Sequence, residues 1–325
     1  MNILITGIHG FVGSNFVAAL KAQHMLYGLD IVSPQKEGIN KTFNWQELEQ
    51  ISPVNCIIHL AGKAHDTKNT SDPQSYFDIN LGLTQKIFNY FLESNAKKFI
   101  FFSTVKAVAD SVKGEFLTED VEPNPKTPYG QSKLAAEQYI TEKFAAWLKA
   151  NSQKPKAVYI LRPCMIHGPG NKGNLNLLFS IVKKGIPWPL GAFENKRSFL
   201  SIDNLAFVIR QLIEKDIEPG TYQVADDKPL STNQLFSIIA MSLGKKPRVY
   251  NIPKGLIKSL AKTGDLLHLP LNTERLKKLT ESYVVSNSKL KTALGIERMP
   301  VSAEEGLVGT LESFGSRAET QRRKF

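Results

Sequence analysis

Apolar and polar positions fall into two regimes along the chain. Up to about residue 170, short apolar runs alternate with longer stretches that place an apolar residue every three or four positions. That alternation predicts strands separated by helices. Ile3-Leu4-Ile5-Thr6 is the first run, and Val12, Phe16, Val17 and Leu20 form the helical stripe behind it. Met25 to Leu29, Val54 to Leu60, Phe99 to Phe102 and Val158 to Leu161 repeat the strand pattern. Asp72-Pro73 opens a long helix through Tyr76, Ile79, Leu83, Ile87 and Phe91, with proline at a first-turn position. Ala135, Ala136, Tyr139, Ile140 and Phe144 mark another helix.

From Asn171 onward glycine and proline become more frequent and the alternation is lost. A helix is expected over Leu175 to Lys184, an extended segment over Gly185 to Gly191, and a helix over Asn204 to Glu214 capped by Asp203. Thr221 to Val224 reads as a strand. Ser231 with Gln234 and Ser302 with Glu305 have capping-box spacing ahead of two further helices. The last helix is expected to end near Phe314, leaving residues 315–325 as a flexible basic tail. The fold class that follows is α/β: a doubly wound parallel sheet with a smaller mixed C-terminal domain. Residues 1–170 form the first domain, to which about 198–225 return, and 171–314 form most of the second.

Gly7, Gly10 and Gly13 lie between the first strand and the first helix. Strand, glycine turn and helix in that order suit a dinucleotide: the glycines allow a tight turn, backbone approach to the pyrophosphate, and close helix packing. The helix N-terminus then offers N–H groups and a positive dipole end to the anion. The second strand ends on Asp30, a carboxylate that can accept from ribose hydroxyls and would repel a 2′-phosphate, so NAD is the expected cofactor.

Charge and composition narrow the reading further. The 325 residues carry 41 basic and 30 acidic side chains, a formal net charge of +11. The lysines are dispersed and no nucleic-acid-binding motif is evident, so no nucleic-acid partner is expected. An anionic small substrate, or the anionic surface of a membrane, accounts for the charge equally well. No apolar run is long enough to span a bilayer and no leader pattern is present, so the chain reads as cytoplasmic. Cys56 and Cys164 lie in apolar strand-like runs, as small core residues of a reduced protein. His59 and His65 lack a neighbouring cysteine or carboxylate cluster, and no metal site is expected.

The chemistry resides in a second set of residues. Tyr129 and Lys133 are four apart and share one helix face. Free tyrosine is a poor base at neutral pH, and a nearby ammonium would favour its phenolate. Thr104, at the C-terminal end of the Phe99–Phe102 strand, can orient a substrate hydroxyl for proton transfer. With the glycine spacing, His59-Leu60-Ala61-Gly62, Ser103-Thr104, Tyr129-Gly130-Gln131-Ser132-Lys133, Leu161-Arg162-Pro163 and His167-Gly168-Pro169-Gly170, the chain resembles the extended short-chain dehydrogenase/reductases, the nucleotide-sugar epimerase/dehydratase family, over about 1–310.

That resemblance implies catalytic roles for Thr104, Tyr129 and Lys133. It implies cofactor contacts at Gly7, Gly10, Phe11, Val12, Gly13, Asp30, Leu60, Ala61, Gly62, Asn80, Tyr129, Lys133 and Pro163, with Asn80 holding active-site backbone. For the substrate, a UDP-sugar, it implies Thr104, Tyr129, Asn174, Arg197 and, more weakly, Arg275, with Trp188 where the family packs the uracil ring. The family's third-strand Asp near adenine is absent; Thr42 and Asn44 stand there. Family dehydratases carry an Asp-Glu pair after the catalytic threonine, and this chain has Val105-Lys106.

Elimination is therefore not expected, and two reactions at C4 of a UDP-sugar remain. Ser103 to Lys106, Asn171 to Asn174 and Gly185 to Pro187 are similar to bacterial reductases of UDP-4-keto-6-deoxy-N-acetylhexosamines for surface polysaccharides. Met165, where epimerases often place Asn, leans the same way; the alternative is a UDP-glucose or UDP-N-acetylglucosamine 4-epimerase. Two other readings are a carbonyl reductase without a nucleotide and a cofactor-sensing regulator without catalysis. The intact Thr/Tyr/Lys set argues against the regulator. The composition also permits a homodimer.

Overall fold

In a computed structural model the structure describes residues 1–32, 34–51, 53–64, 72–151, 155–171, 173–267 and 272–322, apart from the side chains of Asn174 and of 315–322. Seven parallel strands form the main sheet: β1 (Asn2–Thr6), β2 (Met25–Asp30), β3 (Lys41–Asn44), β4 (Cys56–His59), β5 (Lys98–Phe102), β6 (Ala157–Pro163) and β9 (Gly220–Val224). Their spatial order is β3-β2-β1-β4-β5-β6-β9. The order reverses beside β1, which pairs with β2 on one side and β4 on the other. Open sheets of this kind take ligands in the crevice beyond the carboxyl ends of the strands at that reversal.

Alternation along β1 sends Ile3 and Ile5 to one face of the sheet and Leu4 to the other. The first face is covered by α1 (Phe11–Leu20) and α5 (Ile202–Glu214), through Phe16, Leu20, Leu205 and Ile209. The second is covered by α2 (Gln74–Glu93) and α3 (Pro128–Ala150), where Phe88 and Phe91 pack on Phe99. Burial on both faces accounts for the continuous apolar runs of the strands.

A separate core gathers α4 (Asn174–Lys183), α6 (Thr232–Ser242), α7 (Lys254–Leu266), α8 (Thr273–Thr280) and α10 (Ala303–Arg322) around Trp188, Phe236, Ile239 and Leu307. A two-stranded parallel sheet of β7 (Met165–His167) and β8 (Phe199–Ser201), and the short α9 (Ser288–Leu294), complete the chain.

Local expectations fail at three helix ends. Ser201, not Asp203, caps α5, its hydroxyl accepting from Asn204 N–H at 3.2 Å, while Asp203 lies in the first turn. Pro73 is the residue before α2 rather than its first. α10 continues to Arg322, past Phe314. Both capping boxes form: Ser231 with Gln234, and Ser302 with Glu305.

Candidate active site

The glycine loop is shaped by contacts that leave no room for side chains. Gly7 has φ +68° and donates its N–H to Leu29 O at 2.8 Å; a Cβ there would stand 2.9 Å from Ala61 N. A Cβ on Gly13 would stand 2.5 Å from Gly7 O. Gly10 precedes α1 in extended conformation, and no side chain caps the helix. The first-turn N–H groups of α1 therefore point into the crevice without a protein acceptor from the cap, as an anion site requires. Asn15 Nδ2 ties the start of α1 to Pro169 O at 2.9 Å, which brings the 168–170 loop against Phe11.

Asp30 ends β2 beside this loop and accepts from His9 N–H at 3.0 Å and Ile31 N–H at 2.8 Å, with the His9 ring at 3.2 Å. Lys36 Nζ folds back onto the loop, donating to Ser14 Oγ at 2.6 Å and Ile8 O at 2.8 Å. Neither His9 nor Lys36 stood out in the sequence, because each reaches the loop through a turn of no fixed spacing. Thr6 Oγ1 accepts from Leu60 N–H and Ala61 N–H at 3.1 and 2.9 Å, and hydrogen-bonds His59 Nδ1 at 2.7 Å. His59 Nε2 meets Thr84 at 3.0 Å, and burial holds the imidazole neutral. His59 is thus a structural pin between β4 and α2. His65 lies outside the described residues, and no group of metal-binding side chains occurs among the described ones.

Asn80 ties α2 to the loop after β4 and to α3. Fully buried in α2, it accepts from Lys63 N–H at 2.7 Å and donates to Lys63 O at 3.1 Å and Ser132 Oγ at 2.9 Å. This fixes the backbone at Gly62, where a Cβ would meet Asn80 Oδ1 at 2.8 Å and Lys133 Nζ at 3.1 Å.

The other half of the candidate site is brought together by α3. Thr127 caps that helix through Gly130 N–H, which sets Tyr129 in the first turn opposite Thr104, the residue that follows β5 by two positions. The two hydroxyls are hydrogen-bonded to each other. Tyr129 packs edge-on against Tyr76, with ring centroids 6.3 Å apart. Lys133 Nζ donates to Phe102 O at 2.8 Å.

The electrostatics differ from expectation at one point. Burial raises the Tyr129 phenol, the Thr104 hydrogen bond opposes that rise, and Lys133 makes no resolved contribution. The ammonium is held on the carbonyl end of β5, and burial brings its own pKa down to about 8 despite Glu137. Tyr129 is therefore a proton donor at neutral pH in this state.

A buried polar cluster below the site had gone unnoticed in the sequence. Glu137, one turn beyond Lys133, receives Ser103 Oγ and the guanidinium of Arg162, whose Nη2 is 2.6 Å from Oε2. The spacing of Glu137 from Lys133 was the available signal.

Among the residues expected to meet substrate, Arg197 donates from Nη1 to Lys278 O at 2.6 Å, at the end of α8. Lys106 Nζ lies 4.1 Å from the Tyr283 ring centre and donates to Asp110 O at 2.8 Å. Burial lowers both Lys106 and Arg197; Asp110 opposes the fall at Lys106 and Arg197 adds to it, while the Lys106 backbone N–H donates to Thr104 Oγ1 at 3.2 Å. Trp188 is a correction: its ring is buried, stacked on Phe236 at 5.7 Å, with Nε1 on Asn233 at 2.9 Å. It is a core aromatic of the C-terminal layer, without an open face for a base. Arg275 is exposed on α8, one turn before Lys278. The Asn174 side chain and Lys172 lie outside the described residues.

A glycine turn between β1 and α1, joined to a Thr/Tyr/Lys constellation at the strand ends, is the arrangement of a nicotinamide-dependent oxidoreductase class. The profile of the NAD dependent epimerase/dehydratase family matches residues 3–225, and the chain belongs to that family. Its cofactor is NAD. Among curated relatives, a UDP-glucose 4-epimerase of Vibrio cholerae is 29% identical over 96% of this chain and 95% of its own. An N-acetyl-alpha-D-glucosaminyl-diphospho-ditrans,octacis-undecaprenol 4-epimerase of Escherichia coli O157:H7 is 27% identical over 78% of this chain and 75% of its own. Among solved structures, the UDP-glucose 4-epimerase of Thermotoga maritima with UDP-glucose superposes with a TM-score of 0.73 at 23% identity, covering 98% of this chain and 100% of that one. The Bordetella bronchiseptica enzyme WbmG with NAD gives 0.74 at 18% identity, covering 97% and 94%. These two structures share the fold.

Proposed function

We propose that the protein is a UDP-sugar 4-epimerase, with 4-keto-sugar reduction as the second reading. The observation that carries the proposal is the pairing of Tyr129 with Thr104 at the strand ends, with Lys133 one turn further along α3. Bound NAD supplies a hydride acceptor and donor at the nicotinamide. The residues of the chain handle the proton and the charge. Tyr129 gives or takes the proton on the sugar C4 oxygen, and Thr104 orients that oxygen. Arg197, with Lys106 beside it, neutralises a diphosphate, for which the guanidinium fork is suited. Gly62, placed by Asn80, lets Lys133 approach the nicotinamide ribose.

Val105 and Lys106 supply no acid–base pair for removing water, so chemistry stays at one carbon. The full-length likeness to an epimerase supports putting epimerisation first, reversing the order suggested by Met165. Reduction keeps its place because GDP-6-deoxy-D-mannose reductase of Pseudomonas aeruginosa is also a relative, at 24% identity. The test supplies UDP-glucose or UDP-N-acetylglucosamine with catalytic NAD and follows the C4 epimer by NMR. A parallel assay supplies a UDP-4-keto-6-deoxy-N-acetylhexosamine with NADH and follows absorbance. Epimer formation that falls by about 10²–10⁴-fold in Tyr129→Phe supports the proposal. NADH consumption with no epimer in the first assay selects reduction. Inactivity in both returns the protein to the regulatory class.

A further inference from the structure

The C-terminal layer carries a surface that the sugar chemistry leaves unused. Between Asp227 and Asp265 the chain holds seven lysines and arginines and no acidic residue. Six of the seven fall between Lys245 and Lys262, leading into and along α7. On α7, Ile257, Ala261 and Gly264 face inward and are buried. Leu256 and Leu260, four apart, run along one flank of the helix at 55% and 51% exposure, and Leu267 continues the stripe at 59%. Lys254, Lys258 and Lys262, also four apart, run along the other flank. The outward strip between the flanks carries Gly255 and Ser259, both exposed and uncharged. In the same layer, a cavity of about 420 Å³ is lined by Val182, Ile186, Phe236, Ala240, Lys245, Lys246 and Arg248.

Leucines exposed in a row and lysines along the opposite flank of one short helix are the pattern of an interfacial helix, with the apolar edge in the acyl boundary and cations at the headgroups. We propose that α7 docks the protein on an anionic lipid bilayer. Charge complementarity selects this occupant. A second copy on a two-fold axis would set the same patch against itself, bringing lysines to lysines with Asp265, in the last turn of the helix, as the one carboxylate between Lys228 and Leu267. No helix among the described residues is long and apolar enough to cross a membrane, so the attachment is peripheral. The inference is independent of which C4 reaction the site performs.

The test is flotation of the full chain with vesicles of phosphatidylcholine containing about one third phosphatidylglycerol, compared with phosphatidylcholine alone. The protein should float with the anionic vesicles at about 0.1 M salt and be released at about 1 M, where the Debye length shrinks to about 3 Å. Each lysine near an anionic surface is worth about fivefold in partitioning, so Lys258→Gln with Lys262→Gln should lower binding about 25-fold. Leu256→Ser with Leu260→Ser should also lower it. All four side chains are exposed, so both variants should keep the thermal midpoint and turnover of the parent. The proposal is overturned if the parent protein stays with the soluble fraction, if it binds both vesicle types alike, or if both variants float as the parent does.

Discussion

Replacing Lys133 by methionine separates what this residue costs the fold from what it does for catalysis. Lys133 is 5% exposed, and burial brings its pKa from 10.5 to about 8, with Glu137 pulling the other way. Between those two values the folded protein binds fewer protons than the unfolded chain, so stability rises with pH through that window. Below about pH 8 the full cost of a buried ammonium is present, and above about pH 10.5 it is gone. A difference of about 2.5 units corresponds to about 3 kcal/mol. Methionine has a similar shape and does not titrate. The stability of Lys133→Met minus that of the parent should therefore fall by about 3 kcal/mol from pH 7 to pH 10.5. The starting advantage at pH 7 is offset by about 1 kcal/mol for the lost hydrogen bond to Phe102 O. Urea denaturation at several pH values measures both proteins, and groups common to the two cancel in the difference. Turnover should be lost in the same variant. Parallel stability–pH curves would refute the reasoning, because they would mean that Lys133 titrates normally in the fold.

Glu137→Gln leaves the Arg162 guanidinium buried without its carboxylate and should cost about 3–5 kcal/mol; adding Arg162→Met should recover most of it, both read by urea denaturation. Gly13→Ala drives a methyl to within 2.5 Å of Gly7 O; it should destabilise by about 1–3 kcal/mol and weaken NAD binding in calorimetry. Arg197→Ala should raise KM for the nucleotide sugar and leave kcat near the parent value, the mark of uniform binding; an unchanged KM would remove Arg197 from the substrate site.

The sheet and its dinucleotide crevice were legible because strands buried on both faces must be apolar throughout, and because Gly7 and Gly13 tolerate no side chain. Tyr129 and Lys133 were legible as a pair through their spacing on one helix, and Asn80 was singled out only through the resemblance to the family. The residues that escaped notice act across elements. Glu137 joins Arg162 over a separation of 25 positions, and Lys36 reaches Ser14 over 22. Trp188 was misread because an aromatic in a proline-rich segment gives no sign of which side it faces. Its partners Phe236 and Asn233 lie on α6, more than forty residues on. The direction of the Tyr129 shift was also beyond the sequence, since it depends on where Lys133 Nζ points. α8 and α9 are short, and α7 buries only Ile257, Ala261 and Gly264, a stripe too narrow to register as periodicity.

The seventh strand has a consequence for how the chain is made. β6 ends at Pro163, but its outer neighbour β9 begins only at Gly220. On a ribosome adding about 5–20 residues per second, about 3–11 s separate synthesis of the two strands. During that time Tyr159, Ile160 and Leu161 present an open, apolar edge able to pair with any extended segment. The intervening stretch cannot shield it with a finished core, because Phe236, Ile239 and Leu307 of the C-terminal layer come later still. The nascent protein should therefore be most open to chaperone binding over that stretch of translation, and slower decoding between Pro163 and Gly220 should lengthen its exposure to misassembly.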